Sequence, residues 1–159
     1  MSTRFVFPKI RLAKLLKEPG GVPVVEAIEQ AAENLKVLAP ECGAEVIAVL
    51  EQVEASFANF PMERDEFALA ELYAITGRSI GTASVAGLEG FDAALLSLCN
   101  LLDHLRTHGR WDRDAIAVHV RALRLLSTIS GPAGASAEPI LSGLAQVTRR
   151  YAPPEPEAT

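Results

Sequence analysis

Few residues in this chain have side chains that could do chemistry: His104, His108 and His119, with Cys42 and Cys99. His104 and His108 stand four apart, a spacing that sets two imidazoles on one helix face and could begin a metal site. A third ligand would have to come from Asp103, Asp112 or another helix, and no motif selects one. The plainer role for the pair is to stabilise a helix C-terminus through its dipole. His119 falls at the edge of an apolar stripe with no Ser or Cys motif beside it, which reads as a satisfied, partly buried histidine rather than a catalytic base. There is no P-loop and no glycine-rich dinucleotide turn, and the glutamates are spread over surface faces instead of pairing inward with histidine. The expectation is a protein with no catalytic residues, no metal and no cofactor.

The stretch ELYAITGRSIGTASVAGLEGF, residues 71–91, offers a different kind of site. Leu69, Leu72, Ile75, Ser79 and Ala83 keep helical spacing, while Thr76, Gly77, Gly81, Thr82 and Ser84 crowd the same segment with residues a solvated helix disfavours. Glycines four apart strip one helix face of side chains. That face can take a neighbouring helix backbone or the surface of a partner protein.

The chain has 159 residues, about one domain, and nearly half of them are apolar, which supplies a real core and argues against wholesale disorder. Its net charge of -5 is segregated. Residues 1–17 carry five bases (Arg4, Lys9, Arg11, Lys14, Lys17) and no acid, residues 18–71 carry twelve acids and two bases, and residues 72–159 carry eight of each. Nucleic acid is disfavoured as the main partner, because phosphate binding needs a continuous basic surface. Arg106, Arg110, Arg113, Arg121 and Arg124 could form one basic patch around a turn, read first as a solvated face. Cys42 and Cys99 read as reduced core residues. No apolar run reaches the ~18 residues that span a bilayer, so a cytoplasmic protein is expected.

No stretch alternates with a period of two, so the fold is read as all-α, an up-and-down helical bundle. Residues 1–21 form a basic arm in which KIRLAKLLK could make a short amphipathic helix, residues 22–151 form the bundle domain, and residues 152–159 form a disordered tail. A helix begins at Pro23 with Val24, Ile28, Ala31, Leu35 and Leu38 as its core stripe. Pro40 opens a second helix, with Val46, Leu50, Val53, Phe57 and Phe60 inward and Pro61 as its end. A third runs from about Glu63 to Ala86. A fourth, from Leu88 to about His108, buries Phe91, Leu95, Leu98, Leu102 and Leu105 and stops at Gly109. Asp112 caps a fifth, with Trp111 and Ile116 placed for a hydrophobic staple and Ile116, Val120, Leu123 and Ser127 as its stripe. Gly131 to Ala135 break the chain before a last helix from about Ala137 to Tyr151.

Two resemblances follow from these residues. LYAITG resembles the phosphoacceptor helix of histidine phosphotransfer (HPt) domains, four-helix bundles with a pattern close to A-H-x-L-K-G-S. On that pattern Leu69, Leu72 and Ile75 take the apolar positions, Gly77 the glycine, and Ser79 and Ala83 the small packing positions. Gly87, Leu88 and Phe91 resemble the entry to the second helix. The resemblance implies an HPt-like four-helix core with extra N- and C-terminal helices, and a glycine that lets a receiver domain approach closely. It departs at Tyr73, which stands where the phosphoacceptor histidine belongs, and at Thr76 in place of the lysine, so the resemblance implies the docking surface without the chemistry. RLAKLLKEPGG, SLCNLLDHL and GRWDRDAIAVHVRALRLL are similar to small helical proteins encoded in bacterial chemotaxis gene clusters and called CheE.

These readings imply a non-enzymatic signalling module of a chemotaxis or two-component pathway. It would bind a receiver or histidine-kinase domain through Tyr73, Thr76, Gly77, Ser79 and Gly81. The alternatives are a phosphotransfer protein that uses His104 or His119, and an oligomeric structural protein, a homodimer for instance, whose glycine face pairs with itself.

Overall fold

A computed structural model describes residues 20–129 and 137–153; the basic arm up to residue 19, the Gly131–Ala135 break and the tail from residue 154 lie outside the described residues. The described elements are α1 (Val24–Ala58), α2 (Glu66–Gly77), α3 (Thr82–Val85), α4 (Glu89–Thr107), α5 (Arg113–Leu126) and α6 (Glu138–Arg149). The fold is an all-α helical bundle, with no strand among the described residues.

The chain divides into two units, residues 1–34 and 35–159. In the first, residues 20–34 are described; they are helical from Val24, and every side chain among them is exposed. Two expectations are corrected here. The stripe Val24, Ile28, Ala31, Leu35 and Leu38 is not core: Val24 keeps 73 % of its surface, Ile28 63 %, Leu35 49 % and Leu38 46 %, and Ala31 is exposed as well. Periodicity identifies the apolar side of a helix but does not supply anything to cover it. Nor does Pro40 open a new helix, since α1 runs through it. An interior proline gives up one backbone donor and costs about 3 kcal/mol against alanine. The downstream half of α1 offsets this by burying Val46, Val49, Leu50 and Val53.

The second unit is built on α4. Phe91, Ala94, Leu95, Leu98, Leu101, Leu102 and Leu105 are all buried, so this helix is apolar over most of its circumference. It packs against α2, α3, α5 and α6, and α5 and α6 pack on each other. From α1 come Val46, Val49, Leu50 and Val53, from α2 Leu69 and Leu72, and from α5 Ile116, Val120, Leu123 and Leu126. Phe60 and Trp111 stack with ring centroids 5.1 Å apart, and the Trp111 indole donates to the Met62 carbonyl at 2.9 Å. This closes the α1–α2 turn onto the entry of α5.

The helix ends follow local rules. Asp65 caps α2 by accepting from the Phe67 and Ala68 amides, and Asp112 caps α5 by accepting from the Ala115 amide at 2.9 Å. Gly109 ends α4 with φ +64°, and the Arg110 amide reaches back to the Leu105 carbonyl at 3.0 Å, as in a Schellman motif.

Candidate functional site

The expected helix from Glu63 to Ala86 is broken in the middle. It ends as α2 at Gly77, turns through Arg78–Gly81, and resumes as the single turn α3. Gly77 and Gly81 therefore do not share one helix face. The cause is Gly81, which has φ +98° and an amide that points into the fold instead of along a helix. Asp92, in the first turn of α4 and 8 % exposed, accepts from the Gly81 amide at 3.0 Å, the Ser84 amide at 2.7 Å and the Ser84 hydroxyl at 2.5 Å. One carboxylate thus holds both sides of the turn. α3 then ends at Gly87, φ +75°, with the Leu88 amide bonded back to the Ala83 carbonyl at 2.8 Å.

This geometry sorts the five residues expected to meet a partner. Tyr73 is exposed, and the Arg106 guanidinium lies 5.6 Å from its ring centroid. Gly77, one turn later, is exposed, as are Ile80 and Gly81. At Gly77 an added Cβ would meet only the Cys99 Sγ, at 3.9 Å, and at Gly81 it would meet nothing within 4 Å. Thr76 and Ser79 lie beneath this surface. Thr76 has no exposed area and its hydroxyl donates to the Leu72 carbonyl at 2.7 Å, while Ser79 is 8 % exposed. Neither offers a partner a side chain; both belong to the support. Beside the turn, an open groove of about 680 Å³ runs between α1 and α2, with Gln52, Ser56, Asn59, Glu71 and Arg78 among its polar lining.

The five arginines do not gather into one free patch. Arg124 pairs with Glu54, and Arg106 reaches Asp103 at 3.4 Å as well as Tyr73. Arg110 donates to the Arg150 carbonyl at 3.1 Å, and Arg113 lies 4.6 Å from the Phe57 ring centroid. Arg121 is exposed on α5.

The histidines separate clearly. The His104 and His108 rings stand 6.3 Å apart at the end of α4, and no group of three or more His, Cys, Asp or Glu among the described residues could hold a metal ion. His119 has no exposed area. Its Nδ1 lies 2.9 Å from the Ala115 carbonyl, which can only accept, so Nδ1 carries the proton. Its Nε2 is then the acceptor for the Ser97 hydroxyl at 3.0 Å and the Thr148 hydroxyl at 3.3 Å. Desolvation holds its pKa below the ordinary histidine value, against a smaller opposing effect of the Ala115 bond. Cys42 and Cys99 are both free, and burial pushes the Cys99 thiol up to about 11, which keeps it protonated and unreactive.

Sequence reasoning missed Asp92, Ser97 and Thr148. Asp92 carries the only local signal, an acid in the first turn of a helix, which points to the helix dipole and not to a loop eleven residues upstream. Among known proteins, no family model, no curated protein and no solved structure matches the chain.

Proposed function

We propose that this protein is a non-enzymatic signalling adaptor that binds a receiver or histidine-kinase domain of a chemotaxis or two-component pathway. The docking surface is Tyr73, Gly77 and the Ile80–Gly81 turn. One observation carries the reading: an exposed aromatic stands one helical turn from the exposed, side-chain-free backbone of Gly77, and the Asp92 carboxylate fixes the turn that follows by accepting from the Gly81 and Ser84 amides. A surface already ordered before binding loses little conformational entropy on docking, and an aromatic beside bare backbone suits close approach. The resemblance of LYAITG to the HPt phosphoacceptor helix supplies the class of partner.

Calorimetric titration against a panel of receiver domains, each with and without a phosphoryl mimic, and of histidine-kinase domains tests this. Binding to at least one is expected. The variant Tyr73→Ala should weaken it about tenfold or more, the effect of losing a central aromatic contact, while Tm stays within a few degrees. Absence of binding across receivers and kinase domains removes the proposal.

The phosphotransfer alternative divides between its two histidines. Both nitrogens of His119 are bonded inside the core and closed to a phosphoryl donor. His104 is half-buried at the end of α4, so acid-labile label on His104 after incubation with a kinase would favour that alternative.

A further inference from the structure

Taken by itself, α1 carries a seam that the rest of its chemistry does not explain. Val24, Ile28, Ala31, Leu35, Leu38 and Cys42 follow one another at alternating steps of four and three. A repeat of 3.5 residues is the signature of helices wound around one another. α1 is uninterrupted through these residues, and the first five are exposed. The flanking positions are Val25, Ala32 and Ala39 on one side and Ala27, Asn34 and Glu41 on the other. Glu26, Glu29 and Glu33 sit at the positions of the repeat that face away from a seam.

We propose that this seam is a self-association surface, on which α1 of one copy packs antiparallel against α1 of a second copy. The partner must be a helix, because the spacing is that of a helical seam. It is a second copy because of where the charges are. A foreign partner chosen by charge would need acids beside the seam to read, and five of the six flanking residues are uncharged. An identical acidic helix, in contrast, meets no like charge there. Antiparallel pairing also gives complementary layers along the whole seam: Val24 opposite Cys42, Ile28 opposite Leu38 and Ala31 opposite Leu35, each occurring twice about a two-fold axis. Large residues meet smaller ones at both ends, and Glu41 faces Ala27 rather than another acid. Parallel pairing would instead set each seam residue level with its own copy, leaving Ala31 against Ala31 and Cys42 against Cys42. The seam shares no residue with the Tyr73–Gly81 face, so it does not depend on the adaptor reading.

Sedimentation equilibrium of the full chain, from micromolar to near-millimolar concentration, tests the proposal. A reversible monomer–dimer equilibrium is expected. Ile28→Glu and Leu35→Glu should each weaken dimerisation at least tenfold, with helicity and Tm of the monomer unchanged, because both side chains are exposed within one copy. Orientation is read by mild oxidation of the Val24→Cys variant: a disulfide from the introduced thiol to Cys42 of the second copy is expected. A strict monomer across the range, a dimer indifferent to both glutamates, or a disulfide joining the introduced thiols of the two copies to each other overturns the proposal.

Discussion

His119 shows what a single residue contributes here. Its neutral form satisfies every bond around it: Nδ1–H to the Ala115 carbonyl, and Nε2 as acceptor for the Ser97 and Thr148 hydroxyls. Protonation removes the acceptor and leaves a charge with no exposed surface. The folded-state pKa therefore lies below the unfolded value of about 6.5, and the folded state binds the proton less readily than the unfolded chain. The stability this residue contributes is complete above about pH 6.5 and is lost as the pH falls from there through the folded pKa. Denaturant midpoints measured on either side of that pH should drop on acidification, and the drop should be smaller in His119→Gln. Every other ionisable group is common to both proteins, so the difference belongs to His119; identical drops would show that its burial has no energetic consequence. Its position on an apolar stripe was legible in the sequence. Its partners were not, because Ser97 and Thr148 come from other helices, 22 and 29 residues away.

At the scale of elements, the helix boundaries that depend on near neighbours could be read directly, while those that depend on distant ones could not. Asp112 capping α5, the stop at Gly109 and the meeting of two helices at Gly87 each rest on bonds within a few residues. Pro40 inside α1 and the break after Gly77 contradict local expectation because burial at Val46–Val53 and the reach of Asp92 decide them from elsewhere. The two glycines of the small-residue stretch consequently play opposite roles. Gly81 has φ +98°, a conformation that strains any side chain, whereas Gly77 is helical with room for a methyl group. Gly81→Ala should destabilise the fold by about 1–2 kcal/mol. Gly77→Ala should leave stability unchanged or raise it by up to about 1 kcal/mol. Chemical denaturation of the two variants checks this. Equal effects would mean that the pair does lie on one continuous helix.

Across the whole second unit, α4 is the element that all the neighbouring helices α2, α3, α5 and α6 share, and the apolar composition of SLCNLLDHL announced that role. How the last helix is fastened had no local signal. Tyr151, just beyond α6, donates its hydroxyl to Asp112, whose other oxygen already caps α5, so one carboxylate joins the end of one helix to the start of another 39 residues away. Desolvation, then this bond, pushes the Tyr151 pKa up to about 12, and the bond to Tyr151 is the main influence holding Asp112 below its ordinary value. The two residues should therefore be energetically coupled. Asp112→Ala should cost about 1 kcal/mol for the cap alone, and more with the tyrosine bond included. Tyr151→Phe should cost less, because it leaves the cap intact. In the double variant the losses should add to less than their sum, by about 0.5 kcal/mol or more, since Tyr151 has nothing to donate to once Asp112 is gone. Strict additivity would show that the hydroxyl is satisfied equally well by water, and that α6 is held by Leu144 and its neighbours in the core without help from the carboxylate.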